Sequence, residues 1–204
     1  MATTTPVYGW PVPTSTDYVA DGAVAIEALG DAVDSTLSTA LGGAYPGLRL
    51  VKKQTIGSAV SSVTVTGAFS STYDNYRILI NGGVGSVGNG ILRFQLGSVT
   101  TGYYSNFIYA GYVGGAVSSV ANNNGANINY AGISDTINIS AEIEVMSPFL
   151  TKQKLISATY YDSASTGRTQ GQCADQNSQT AFTILTTSGT LTGGTIYVYG
   201  YGKS

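Results

Sequence analysis

The chain has no histidine, one cysteine and few charged side chains, and each shortage excludes a class of protein. Without histidine it lacks the commonest general base and metal ligand, and a conventional serine protease triad is impossible. Cys173 alone can form neither an internal disulfide nor a zinc cluster. Only 10% of the residues are charged, against roughly 25% in typical domains, yet no apolar run is long enough to span a membrane. We therefore expect no catalytic residues, no metal, no cofactor and no membrane insertion.

Glycine and tyrosine are abundant instead. The 204 residues include 27 glycines and 15 tyrosines, and much of the remainder is serine, threonine and asparagine. This composition favours short strands joined by turns over long helices. The net charge of −2 supplies no basic field, so we expect no nucleic-acid partner. The N-terminus has neither a basic start nor an apolar run, so we expect a soluble protein made in a cytoplasm.

The charges are unevenly distributed along the chain. The first 48 residues hold five acids and no base, whereas the rest holds six acids and nine bases. This shift predicts a boundary near residues 42–47 between two parts with different roles. We therefore divide the chain into an N-terminal arm and stalk, 1–47, and a strand-rich domain, 48–204.

The N-terminal part predicts an extended arm followed by a short helix. Three of the five prolines lie in residues 1–16, which is typical of an extended arm. Thr16 or Asp21 can cap a helix that ends at Gly42 and Gly43. An amphipathic helix lying on the chain's own sheet would have a wide apolar stripe, whereas this stripe is narrow and favours a parallel oligomerising stalk. The predicted seam comprises Val19, Ile26, Leu29, Val33 and Leu37.

From residue 48 onward the apolar period changes to two, the signature of strands. The clearest alternation runs from Ile137 to Val145, with Glu142 and Glu144 on the opposite, solvated face. About nine such strands predict a mainly β fold, an antiparallel sandwich or barrel. The final strand is apolar on both faces, which predicts contact with a neighbouring subunit. Its candidate contact residues are Tyr197, Tyr199 and Tyr201.

Three segments read as long loops, at 81–90, 111–127 and 162–180. The first contains a formal GxGxxG, but a strand-like sequence follows it rather than the helix a nucleotide fold requires, so it predicts a hairpin. The other two exceed the usual loop length. Each is therefore functional, ordered by a subunit contact, or contains an unrecognised edge strand.

Five stretches carry a family pattern, one in the head and four in the body. They are YGWPVPTSTDYVADGAVAIEALGDAVDSTL (8–37), TYDNYRILI (72–80), TGYYSN (101–106), SPF (147–149) and TAFTILTTSGTLTGGTIYVYGYGKS (180–204). The first resembles the virion-attachment segment of many bacteriophage tail-fibre and minor tail proteins, including those of cyanophages. The other four resemble the C-terminal jelly-roll domain that often follows that segment.

The resemblance implies a homotrimeric structural protein of the virion, a tail fibre that is held by other tail or baseplate proteins through residues 1–41. It also implies that the sandwich is displayed outward, so that its distal loops can contact the host. Tyrosines around these loops, with asparagine and glutamine nearby, have the chemistry of saccharide recognition, so a cell-surface glycan is the expected receptor. The candidate receptor contacts are Tyr109, Tyr112, Arg168 and Gln170. At any single tyrosine, packing on an ordinary strand is the favoured alternative. For the whole protein the alternatives are a capsid decoration or cement trimer and, less favoured, a polysaccharide depolymerase.

Overall fold

The computed structural model describes residues 3–12, 18, 21–37, 39 and 47–202. The chain divides into an N-terminal unit and a second compact unit, Gly47–Gly202. In the N-terminal unit, β1 (Thr3–Thr4) and β2 (Pro11–Val12) pair as a small antiparallel hairpin, and α1 follows at Gly22–Leu37. The described part of the predicted extended arm therefore turns back on itself.

The second unit is built from strands alone. They are β3 (Leu48–Thr55), β4 (Ser62–Val65), β5 (Asn75–Asn81), β6 (Val84–Gly85), β7 (Gly90–Leu96), β8 (Tyr103–Gly111), β9 (Val117–Gly125), β10 (Ile128–Ser134), β11 (Ile139–Met146), β12 (Lys154–Tyr161), β13 (Ser165–Cys173), β14 (Phe182–Thr186), β15 (Leu191–Thr192) and β16 (Thr195–Tyr201). All described pairings between them are antiparallel. The predicted mainly β, antiparallel fold is confirmed.

Twelve of these fourteen strands form two layers joined through β11, and β6 and β15 pair with each other separately. The larger layer has the order β3-β16-β5-β11-β12-β13-β8-β9, and the smaller has the order β4-β14-β7-β10. The first two residues of β11 pair with β10, and the rest of the strand pairs with β5 and β12. Lettering β4, β5, β7, β8, β9, β10, β11 and β14 from B to I gives the jelly-roll sheets B-I-D-G and C-H-E-F. The β12–β13 hairpin is inserted between H and E.

The core lies between the layers because apolar side chains alternate along each strand. Ile139, Ala141, Ile143 and Val145 of β11 all face it and are buried. The smaller layer contributes Phe94 and Phe182, whose ring centroids lie 5.4 Å apart. These alternating runs are the ones that the sequence predicts. Ile137 was expected to continue the buried face, but it is 85% exposed because the chain turns between β10 and β11 at that point.

The long predicted loops contain strands. The segment 111–127 includes β9, which is an edge strand, and 162–180 includes β13, which lies inside the larger sheet between β12 and β8. The glycine-rich segment 81–90 is followed by strand β7, as expected, but it is not the predicted hairpin. It crosses from β5 in the larger layer to β7 in the smaller layer, and these two strands do not pair with each other. Gly83 has a φ of +79°, and a β-carbon there would overlap the carbonyl of Gly193. That glycine therefore serves a close backbone crossing.

Candidate functional site

The outer face of the larger sheet is the surface that gathers most of the chemically distinctive side chains. Strand alternation points Arg77, Glu142 and Glu144 away from the core, and the antiparallel register places Arg77 directly opposite Glu144. On the adjoining strands the same face carries Tyr197, Tyr199 and Tyr201 on β16, and Arg168 and Gln170 on β13. We call this surface the outer face.

An ion-pair network lies near the middle of the outer face. The Arg77 guanidinium contacts Glu142 Oε1 through Nη2, and its Nε lies 3.6 Å from Glu144 Oε1. The Tyr201 hydroxyl lies 2.7 Å from both Glu144 oxygens and donates to that carboxylate. Burial and this hydrogen bond to Glu144 raise the pKa of Tyr201. The two glutamates are thus held by an arginine and a tyrosine of the same chain, an arrangement that fixes the side chains in place.

An open apolar groove of about 230 Å³ borders this network. Its floor is formed by Met146 and Leu155, which are 48% and 52% exposed, and Glu144 lies at its rim with Ser157 and Gln170. Met146 and Leu155 are direct partners across β11 and β12, so their side chains stand side by side. Apolar floors with a few convergent polar groups are typical of binding sites.

The structure separates the four predicted receptor contacts into three places. Arg168 and Gln170 are exposed on the outer face, where Arg168 Nε donates to Ser157 Oγ at 3.0 Å. Tyr109 lies on the opposite face of the same sheet and stacks on Phe107, with ring centroids 4.9 Å apart. Tyr112 lies in the turn between β8 and β9 and is exposed. Arg168 and Gln170 can therefore act together, whereas Tyr109 belongs to a small aromatic cluster with Phe107 and Tyr160.

The three tyrosines of the final strand are half-buried. Strand β16 lies between β3 and β5, so the strand itself has no free edge. Tyr197 and Tyr199 line up along the outer face with ring centroids 6.5 Å apart, and Lys53 Nζ stands 5.7 Å from the centre of the Tyr197 ring. These rings are available on one side only, as a flat aromatic surface.

The predicted seam of α1 divides between two environments. Leu29 and Val33 are half-buried, and they share a helix face with Thr36, whose Oγ1 accepts a hydrogen bond from Trp10 Nε1 at 2.9 Å. Ile26 and Leu37 lie beside that face and remain exposed. The hairpin that carries Trp10 therefore contacts part of the predicted seam. Val19, the fifth predicted seam residue, lies outside the described residues.

A buried polar row crosses β12, β13 and β8 on the inner side of the larger sheet. Lys154, Cys173 and Tyr103 are neighbours in register, and all three are fully buried. Lys154 Nζ donates to the backbone carbonyls of Asp175 at 2.8 Å and Asn177 at 2.6 Å. Burial lowers the pKa of Lys154 and raises the pKa of Cys173. The lysine thus anchors the loop after β13 to the core.

Tyr103 ends this buried row. Its hydroxyl oxygen accepts the Leu96 N–H at 2.7 Å, which ties β8 to the end of β7. Burial strongly raises the pKa of Tyr103, although the hydrogen bond from Leu96 acts in the opposite direction. The hydroxyl therefore stays protonated in the folded protein.

Sequence patterns alone did not reveal the groove or the buried lysine. The apolar floor comes from Met146 and Leu155, which lie on strands far apart in the sequence and meet only through register. Lys154 is the first residue of β12, and its charge favours a solvent position. Across the described residues, no group of three or more histidine, cysteine or carboxylate side chains could hold a metal. Over the same residues, no helix is long and apolar enough to cross a membrane.

Comparisons with known proteins identify neither a family nor a function for the chain. No known protein family matches the chain, and no curated protein matches it. The infectious bursal disease virus VP2 subviral particle aligns at 12% identity with a TM-score of 0.14. The structure of the infectious bursal disease virus Gx strain aligns at 14% identity with a TM-score of 0.13. Each alignment covers 76% of this chain but only 41% of the viral chain, and similarities this weak say nothing about function.

Proposed function

We propose that this chain is a structural protein of a bacteriophage particle, a homotrimeric tail fibre held by its N-terminal unit and displaying the sandwich outward. Its partners are two further copies of itself, other tail or baseplate proteins, and a glycan on the host surface. Assembly takes place in the host cytoplasm, and the finished protein resides in the virion tail.

The observation that carries the proposal is the exposure of α1. None of its described residues is buried, and three of its apolar side chains are exposed. They are Ile26, which is 66% exposed, Val24 and Leu37. A helix of sixteen residues is marginal alone in water and gains most of its stability by burying an apolar face. Further copies of the same helix supply such a face through Ile26 and Leu37.

The charge of the N-terminal unit supports attachment to another virion protein. Asp21, Glu27, Asp31 and Asp34 are exposed, and no basic residue precedes Arg49 in the sequence. In a parallel trimer these carboxylates repel one another, although salt screens part of that cost. A basic socket on another tail protein would remove the repulsion, and this electrostatic match would determine which end of the fibre is bound.

The outer face supports a role in contact with a host glycan. Arg168, Gln170 and Ser157 lie together beside the groove and present hydrogen-bonding groups to solvent. Three copies on one fibre would raise the overall affinity of individually weak contacts through avidity. Arg168 and Gln170 are therefore the residues on this face that we assign to host contact.

Replacing Ile26 and Val33 with aspartate tests the trimer. The unmodified protein is expected to have about three times the chain mass of 21.0 kDa, and the variant is expected to fall to one chain and to be lost from virions. Light scattering measures the mass, and immunoblots of purified particles measure incorporation. The control is Ala28→Asp combined with Ser35→Asp, which adds the same two negative charges on the opposite, exposed side of α1.

Three results would contradict the proposal, each in favour of a different alternative. A single-chain mass for the unmodified protein removes the fibre altogether. Loss of the variant from tail-free heads, with tails unaffected, favours a capsid cement trimer. New reducing ends in host polysaccharide after incubation with the protein favour a depolymerase, whereas cell binding abolished by stripping surface glycans supports adhesion.

A further inference from the structure

The larger sheet has two ends, and they differ in chemistry. Within the described residues, β3 pairs only with β16 at one end, and β9 pairs only with β8 at the other. An edge strand presents N–H and C=O groups along its unpaired side, and another strand is the partner that satisfies the whole row. Natural proteins protect such edges with charge, proline, short length or bulges.

The edge at β3 carries that protection. Arg49, Lys52 and Lys53 follow one another along the eight-residue strand. If β3 paired with β3 of a second copy, the interface would hold six cations, divided between its two faces because Lys52 and Lys53 point to opposite sides of the sheet. Like charges directly opposite in a sheet are destabilising, so β3 rejects its own copy.

The edge at β9 carries no charge, although a bulge interrupts its far end, where the register with β8 shifts between Asn122 and Gly125. Its nine residues, VSSVANNNG, contain neither a charged residue nor proline, and the sequence has no charged residue anywhere from 94 to 134. Seven of the nine residues are exposed, Val117 to the extent of 73%. Exposed Ile108 lies opposite Ser119 on the neighbouring strand and extends the apolar surface beside the edge.

The side chains of β9 suit a copy of themselves. Serine hydroxyls and asparagine amides each donate and accept hydrogen bonds, so Ser118, Ser119 and Asn123 can bond to the same residue types in a second chain. The neighbouring asparagines hold the strand in place. Asn122 Nδ2 donates to Asn127 O at 2.7 Å, and Asn124 Oδ1 accepts from Gly102 N at 3.0 Å.

We propose that β9 is the pairing edge for a second copy of this chain. The second copy adds its own β9 antiparallel across a two-fold axis, so that the two eight-stranded sheets become one continuous sheet. Only uncharged groups meet in this interface, and Val117 of each copy lies against the later residues of its partner's β9, because antiparallel strands set opposite ends side by side. The pairing is independent of α1: it doubles whatever assembly the N-terminal unit forms.

The test measures the mass of the full chain against concentration by sedimentation velocity. The unmodified protein is expected to double in mass as its concentration rises through the micromolar range. Ser119→Lys combined with Ala121→Lys places like charges on the paired edges, and this variant is expected to lose the doubling. The matched control, Thr159→Lys with Gln170→Lys, adds the same charge at exposed positions on internal strands and is expected to keep it.

Hydrogen exchange on the unmodified chain provides a second readout that needs no variant. Doubling is expected to slow exchange of the β9 amides while leaving the β3 amides unchanged, because only the β9 edge gains a partner strand. This measurement decides the matter if the lysine variant fails to fold.

Several results would overturn the pairing. They are a mass that never doubles, a doubling that survives Ser119→Lys with Ala121→Lys, and equal loss in the control variant. A threefold fall in mass with the β9 variant would instead mean that β9 pairs with a different edge in a ring. Protected β9 amides without a mass change would identify another occupant. Combining these changes with Ile26→Asp and Val33→Asp separates the two proposals. Loss of the helix contact is expected to lower the mass of the assembly threefold, and loss of the β9 contact is expected to lower it twofold.

Discussion

In the sandwich, Phe94 and Phe182 are fully buried between two layers, whereas Ile26 of α1 is 66% exposed in the N-terminal unit. Both units contain apolar residues, and they differ in whether their secondary structure encloses those residues. Two sheets face to face enclose an interior, but one helix and a two-strand hairpin cover each other on a single side. The comparison indicates that the sandwich is stable by its own burial, whereas α1 leaves apolar side chains exposed, which the proposed partners would cover.

Phe94→Ala tests the stability that the buried core gives the sandwich, and it has the largest expected effect. The Phe94 ring packs against Phe182, and truncation removes buried area and leaves a cavity. The free energy of unfolding is expected to fall by about 3–5 kcal/mol. Chemical denaturation followed by circular dichroism measures it. Ile26→Ala is the control, and a comparable loss there would mean that α1 is buried as deeply as the core.

Tyr103→Phe tests how a buried hydroxyl makes the stability of the sandwich depend on pH. The variant leaves the Leu96 N–H without its acceptor, so we expect a loss of about 1–3 kcal/mol at neutral pH. The folded-state pKa of Tyr103 lies above its ordinary value of 10.0, so the stability linked to its protonated hydroxyl is present below pH 10 and lost above it.

Denaturation at pH 9 and at pH 11 checks this sign. Unfolding free energy is expected to fall between these values in the unmodified protein and to fall less in Tyr103→Phe. Tyr104→Phe removes the same hydroxyl from an exposed neighbour and serves as the control. An equal alkaline loss in all three proteins would show that Tyr103 does not contribute to the pH dependence.

Thr36→Val tests the N-terminal unit and has the smallest expected effect. It removes the oxygen that accepts the Trp10 indole hydrogen bond, with little change in shape, and is expected to weaken the contact by about 0.5–1.5 kcal/mol. Fluorescence of the chain's single tryptophan is expected to shift towards that of a solvated indole. Ser35→Ala, on the exposed side of α1, is expected to leave the spectrum unchanged. A change in sandwich unfolding in either variant would contradict the separation of roles.

Alternation predicted the strands whose buried side chains are apolar, and it failed where other groups fill the interior. β11 follows the rule with isoleucine and valine, whereas the inward residues of β13 include Gly167, Thr169 and Gly171. A β-carbon at Gly167 would overlap the Phe107 ring, so the neighbouring strand occupies the space that a side chain of β13 would fill. The sequence of β13 therefore looks like a loop.

The outer face depends on register, which a single sequence does not reveal. Glu142 and Glu144 are recognisable as solvated residues of one strand, but their pairing with Arg77 needs the alignment of β5 with β11. The same holds for Met146 and Leu155 in the groove. Tyr109 was predicted to contact a receptor because of its residue type, and the parity of its strand places it on the other face. The contacts proposed for the helix and the tyrosines of β16 stay predictions.

Strand β11 belongs to both layers of the sandwich, because it pairs with β10 at its start and with β5 and β12 beyond. Tension applied to either layer therefore passes through the hydrogen bonds of this shared strand into the other. We therefore expect the two layers to separate together and not one after the other, so that the sandwich ruptures abruptly under load. If the sandwich is displayed on a fibre, as proposed, and bears load through its contact with the host, it would stay folded until that single rupture.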